Sequence, residues 1–86
     1  MKSKSTLEII AKVTKVPNYT PSAIKKLMEK LDVNDKGFAL LMNVTPSTVR
    51  FWTSGAVVPC GQSQRLMQIF DAEPDIASLL EGTERN

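Results

Sequence analysis

Few residues in this 86-residue chain are of a type and spacing that could do chemistry. There is no histidine, and Cys60 is the only cysteine. A Ser-His-Asp or Cys-His relay therefore has no imidazole to work through, and a zinc site, which needs about four Cys, His or carboxylate ligands, has no suitable set. The nine carboxylates are scattered, with no glycine-rich phosphate loop and no assembled acid-base pair. A single cysteine forms no intramolecular disulfide, and a thiol with no histidine or second cysteine near it in sequence reads as inert. Catalysis is not expected, nor is a cofactor or a metal. What remains is the run Thr45-Pro46-Ser47-Thr48-Val49-Arg50. Short hydroxyl donors and acceptors at the start of a helix suit close approach to base edges and phosphates. The helix start adds free backbone N–H groups and a positive dipole end.

The elements that must position this run are punctuated clearly. Thr20-Pro21 is a cap residue followed by proline at the first helical position. Ile24, Leu27, Met28 and Leu31 then form one apolar stripe, with Lys25, Lys26, Glu29 and Lys30 outside it. Residues 32–34 break this helix. Asn34 caps a second, short helix carrying Phe38, Ala39, Leu41 and Met42, despite the helix-weakening Gly37. Asn43-Val44 is the next turn, and Thr45-Pro46 repeats the cap-then-proline signal. In the third helix Val49 and Trp52 share a face, and Gly55 stands where a left-handed C-cap ends it. A loop over 56–61 is closed by Pro59 and Gly61, after which Gln62 or Ser63 opens a helix with apolar Leu66, Met67, Ile69 and Phe70. That helix stops before Pro74. Asp75 heads a last helix with Ile76, Leu79 and Leu80, and Gly82 lies just past its end. In residues 7–16, Leu7, Ile10 and Val13 recur at helical spacing while Ile9, Ile10, Val13, Thr14 and Val16 are β-branched. Helix is favoured there, with strand as the alternative.

The length fits one domain, with residues 1–19 as an N-terminal extension, 20–82 as the folded unit and 83–86 as a frayed tail. The expected class is all-α, with five helices from Thr20 onward. No apolar run reaches the ~18 residues of a membrane span, so a cytoplasmic location is expected. Most lysines and arginines lie early: residues 1–30 sum to +5, 31–70 to +1 and 71–86 to −4. Such asymmetry fits a polyanionic partner, although a solvated charged face would look the same. Among the lysines, Lys25, Lys26 and Lys30 read as surface residues kept for solubility. A domain this small gains core area by dimerising.

Two short helices joined by the tight Met42-Asn43-Val44 turn, with a supporting helix on each side, make a helix-turn-helix arrangement whose second helix enters the major groove N-terminus first. The run from Val44 to Trp52, followed by Gly55, Pro59 and Gly61, resembles the Cro/cI-like (Xre) helix-turn-helix regulators. The likeness is closest to HigA- and NadS-type antitoxins, through Tyr19-Thr20-Pro21 leading into Ile24 and Leu27, Phe38-Ala39, and the stretch 66–74. It spans about residues 18–80, and phage repressors and anti-CRISPR-associated regulators share the scaffold. The resemblance implies a lambda-repressor-like fold. It places base contacts on Pro46, Ser47, Arg50 and Phe51, and phosphate contacts on Thr48, the second-helix start at Asn34 and Lys36, and the loop after Gly55; Thr45, read from the sequence as the cap, can contact phosphate as well. Three features depart from the family pattern. Asn34-Asp35 stands where serine-glutamine is usual, so a carboxylate replaces a donor. Ala56-Val57-Val58 replaces a basic loop, with Thr53 in place of a glutamate. Phe51 occupies a usually polar position, where it suits a thymine methyl or packs on protein.

On the stripe logic Trp52 belongs to the core, and Arg50, one step off it, is the leading groove contact. The methionines other than Met1 read as core filler. The expected function is that of a sequence-specific repressor binding double-stranded DNA as a homodimer on a palindromic operator, autoregulatory and nucleoid-associated. Ile76, Leu79 and Leu80, the last apolar stripe, form its dimer seam. The resemblance adds a cognate toxin protein as a partner, bound by the small protein itself or by its N-terminal extension, for which residues 1–19 are the candidate. The alternative is a helix-turn-helix scaffold that binds a protein through Phe51, Val57 and Val58 and no longer binds DNA.

Overall fold

The computed structural model describes residues 6–81. Lys2, Lys4, Gly82 and the tail at 83–86 lie outside the described residues, as does the side chain of Leu7. The elements are α1 (Thr6–Ala11), α2 (Pro21–Leu31), α3 (Asp35–Met42), α4 (Pro46–Ser54), α5 (Gly61–Ala72) and a terminal 3₁₀ helix (Pro74–Leu80). The described chain is all-α and contains no strand. Each of the three central helices starts on the cap that its sequence predicts. Thr20 Oγ1 accepts from the Ala23 N–H at 3.2 Å, Asn34 Oδ1 from Gly37 at 2.9 Å, and Thr45 Oγ1 from Thr48 at 3.2 Å. Their ends turn on left-handed residues, Asp32 (φ 57°), Asn43 (φ 59°) and Gly55 (φ 85°). Asp32 and Asn43 adopt at a small cost the conformation that Gly55 adopts freely.

α3 packs on α4, α2 packs on both α4 and α5, and α5 packs on the 3₁₀ helix. The core between them holds Ile24, Leu27, Met28, Phe38, Ala39, Met42, Val49, Trp52, Met67 and Phe70. Trp52 is 4% exposed and stands edge-on to Phe38, with centroids 6.5 Å apart and planes at 80°. The helical phase expected for α4 is therefore correct, and Met28, Met42 and Met67 are core residues as read. Gly37 sits in α3 because a Cβ there would come within 3.0 Å of Val33 Cβ.

Four readings need correction. The N-terminal helix ends at Ala11, short of residue 16; Lys12 and Val13 close it by donating to the Ile9 and Ile10 carbonyls, and residues 13–20 run without helix. α5 opens at Gly61, before Gln62 or Ser63, because extended Cys60 already offers its carbonyl to the Gln64 N–H at 3.0 Å. The last helix begins at Pro74, one residue before Asp75, and is 3₁₀, with proline at its first turn. Lys30 is not a bare solubility residue. Its ammonium meets Asp71 Oδ1 at 2.7 Å and the Asp71 carbonyl at 2.8 Å.

The same carboxylate accepts from the Tyr19 hydroxyl at 3.0 Å, and the Tyr19 N–H donates to Gln64 Oε1 at 3.1 Å. Tyr19, 5% exposed, is thus a core residue immediately before the Thr20 cap. This ties the start of α2 to α5 and holds the frame behind α4 in place.

Candidate nucleic-acid interface

α4 has two faces with different fates. Val49 and Trp52 are buried against α2 and α3, and Ser47, Arg50, Phe51 and Ser54 lie exposed along the opposite side. At 100° per residue these four fall on one stripe spanning two turns. Ser54 is a member that the sequence reading missed. Its signal was present in the i, i+3, i+4, i+7 spacing from Ser47, obscured by its place at the helix end. Its hydroxyl donates to the Phe51 carbonyl at 3.2 Å and accepts from the Ala56 N–H at 3.3 Å.

Arg50 is held at both ends of its guanidinium. Nη2 donates to Ser47 Oγ at 3.2 Å, and Nη1 lies 3.8 Å from Asp35 Oδ2. Both partners of that ion pair are open to solvent, with side chains 58% and 41% exposed, so it is worth at most about 1 kcal/mol and yields readily to a competing anion. Asp35 itself belongs in the first turn of α3, where the helix dipole favours a carboxylate. Asn34, Asp35, Lys36 and Arg50 line one open depression of about 410 Å³, so the α3 start and the exposed side of α4 form a continuous surface. The sequence-predicted residues Asn34, Lys36 and Arg50 are therefore brought together.

Thr45 and Thr48 stand at the start of α4, with their hydroxyls 3.0 Å apart, and Pro46 and Thr48 are half-buried. The Thr45 hydroxyl is engaged as the α4 cap, which orients it without consuming all its hydrogen-bonding capacity. Phe51 is half exposed. The loop beyond Gly55 places Val57 and Val58 in solvent, with the Val57 N–H donating to the Phe51 carbonyl at 3.2 Å. Phe51, Val57 and Val58 thus form an apolar margin where a basic one would grip phosphate better.

Two other expectations have a structural address. Ile76, half-buried, and the exposed Leu79 and Leu80 join Leu41, Leu66, Ile69 and Phe70 around an apolar groove of about 340 Å³, remote in sequence from the α4 stripe. Cys60 is exposed, and hydrogen bonding from the Ser63 side chain, 3.4 Å away, and from backbone pulls its thiol below its ordinary pKa. It is more readily ionised than an inert thiol would be. Among the described residues no group of three or more His, Cys, Asp or Glu is placed to hold a metal ion. The chain matches no family model and no curated protein. Its own geometry is what bears on function.

Proposed function

We infer that the chain is a sequence-specific transcriptional repressor of the Cro/cI-like type, which binds double-stranded DNA as a homodimer on a palindromic operator, its own promoter included. The observation that carries this reading is the exposed stripe of Ser47, Arg50 and Phe51 on a helix whose other face is locked by Val49 and Trp52. A rigid helix presenting a guanidinium, a hydroxyl and an apolar group suits major-groove readout: arginine pairs bidentately with guanine, and phenylalanine lies against a thymine methyl. On this reading Asn34, Lys36, Thr45 and Thr48, with the backbone N–H groups at the two helix starts, supply the phosphate contacts. Each protomer offers few cations on this face, so two copies are needed for useful counterion release. Ile76, Leu79 and Leu80 are the proposed seam between them.

On the resemblance described above, the biological setting is that of an antitoxin or phage-type regulator acting at the nucleoid, with a toxin protein as possible partner of residues 1–19. No helix among the described residues is long and apolar enough to cross a membrane. The deciding experiment is a gel shift of the purified chain on its own upstream DNA across a salt series, with scrambled DNA as control. Specific retention supports the reading; no retention at any salt overturns it. The second reading, a protein-interaction module without DNA binding, is favoured by the exposed Phe51, Val57 and Val58 and by the Asp35 carboxylate facing Arg50.

A further inference from the structure

α1 and the residues after it as far as Val13 form an arm that exposes apolar side chains, whereas Val16, further on, packs against the core of its own chain. Ile9, Ile10 and Val13 are 51%, 60% and 53% exposed. The radius of gyration is 14.5 Å, where a compact chain of this length has about 12 Å. The arm is nevertheless fastened at its base: Arg65 Nη1 donates to the Thr14 carbonyl and Gln68 Nε2 to Thr14 Oγ1, each at 3.0 Å. It therefore leaves the body from α5, the same helix that contributes Leu66, Ile69 and Phe70 to the 340 Å³ groove. Groove and arm are both open in one protomer, so the arm does not cover the groove of its own chain.

The two surfaces match in charge as well as polarity. Residues 1–16 carry Lys2, Lys4, Lys12 and Lys15 against Glu8, a sum of +3, whereas residues 71–86 sum to −4. Glu73 lies at the start of the 3₁₀ helix that walls the groove, Asp75 in its first turn and Glu81 at its end, all exposed. Like charge would argue against two grooves meeting face to face; a basic apolar arm meeting an acid-flanked apolar groove has both signs satisfied.

We propose that the groove lined by Leu41, Ile69, Ile76 and Leu79 receives the N-terminal arm, residues 8–13, of a second copy of this chain, the two copies exchanging arms about a two-fold axis. The exchange rests on the homodimer of the proposed function and specifies its interface, but needs no DNA. Two-fold symmetry makes every arm-groove contact twice, which compensates for the shortness of each arm. The contact extends the seam expected at Ile76, Leu79 and Leu80 by supplying what lies against it.

Light scattering and sedimentation of the full chain over a concentration series test this. The parent is expected at twice the chain mass at micromolar concentration, with association weakened by salt. Ile10→Asp, in the arm, and Leu79→Asp, in the groove, are each expected to be monomeric under the same conditions with unchanged helicity by circular dichroism. Mixed in equal amounts they should associate more strongly than either variant alone, because the mixed pair keeps one intact arm and one intact groove in register. Lys12→Glu with Lys15→Glu, which touches no apolar contact, should weaken association at least tenfold at low salt. A dimeric Ile10→Asp beside a monomeric Leu79→Asp overturns the exchange and leaves a groove-to-groove homodimer. A mixture that associates no more strongly than either variant alone also overturns it, and a parent that is monomeric throughout overturns both the exchange and the homodimer.

Discussion

Trp52 and Arg50 sit two residues apart on α4, one buried in the core and the other open to solvent, so their substitution should have separable effects. Trp52→Ala removes a buried aromatic ring and its edge-on contact with Phe38, and should destabilise the domain by about 3 to 5 kcal/mol in denaturant melts, with DNA binding lost as a consequence. Arg50→Ala exposes no core and breaks only a solvent-open ion pair and one hydrogen bond. It should cost about 1 to 3 kcal/mol on the true operator, much less on random DNA, with the Tm nearly unchanged. Equal losses on both DNAs would make Arg50 a phosphate contact instead.

A second residue-scale cluster sets the pH limits of the fold. Hydrogen bonding from Lys30, then from Tyr19, holds the Asp71 carboxyl below its ordinary pKa against the opposing effect of burial. Because its folded pKa is depressed, the stability it contributes is present above the unfolded value near 3.8 and is lost as pH falls through the folded one. Burial, reinforced by the hydrogen bond to Asp71 and its charge, pushes the Tyr19 phenol up to about 12. Its folded pKa is raised, so its contribution is complete below the ordinary value of 10.0 and disappears as pH climbs towards 12. Melts at pH 8 and pH 11 should therefore show an alkaline loss of Tm that Tyr19→Phe reduces. At pH 8 the same variant should lose about 1 kcal/mol, the worth of one hydrogen bond.

At the scale of elements, sequence was informative wherever a short-range signal decides the outcome. Thr20, Asn34 and Thr45 cap the helices they announce, and Val49 and Trp52 fix the face of α4, because capping and three-residue spacing are local physics. Misses of one kind occur where tertiary partners decide. Tyr19 reads as a residue before a helix, and its burial depends on Asp71 and Gln64, 52 and 45 positions away. The early start of α5 is a miss of another kind, a local one: the Cys60 carbonyl accepts from the Gln64 N–H, and no side-chain cap hydrogen bond announces it. The depression at Asn34, Lys36 and Arg50 was legible only as separate residues, since their meeting depends on how α3 packs on α4. Gly37 shows the same limit in reverse. Propensity alone favours Gly37→Ala by about 1 kcal/mol, yet the new Cβ would lie 3.0 Å from Val33 Cβ, a branch point that cannot swing away. Overpacking of this kind costs about 1 to 3 kcal/mol, so the substitution should lower the denaturant midpoint.

The whole molecule distributes its charge away from the surface proposed to meet DNA. Its basic excess lies in residues 1–30, its acidic excess in residues 71–86, and the α3–α4 face offers Lys36 and Arg50 against Asp35. With Arg50 on a base edge, a dimer using this face neutralises about two phosphates through its two Lys36 side chains, which gives a slope of about −2 for log K against log salt concentration. Asp35→Asn removes the carboxylate that faces Arg50 while keeping its size, and should strengthen binding to operator and random DNA alike. If the freed Arg50 and the α3 start gain one phosphate contact per protomer, the slope should steepen by about 2 for the dimer. A steep slope in the unmodified chain would require more phosphate contacts than this face holds and would move the docking surface towards the lysines of the N-terminal arm and α2. Titrations on one operator fragment between 50 and 200 mM salt, a range over which such slopes are typically read, separate the two surfaces.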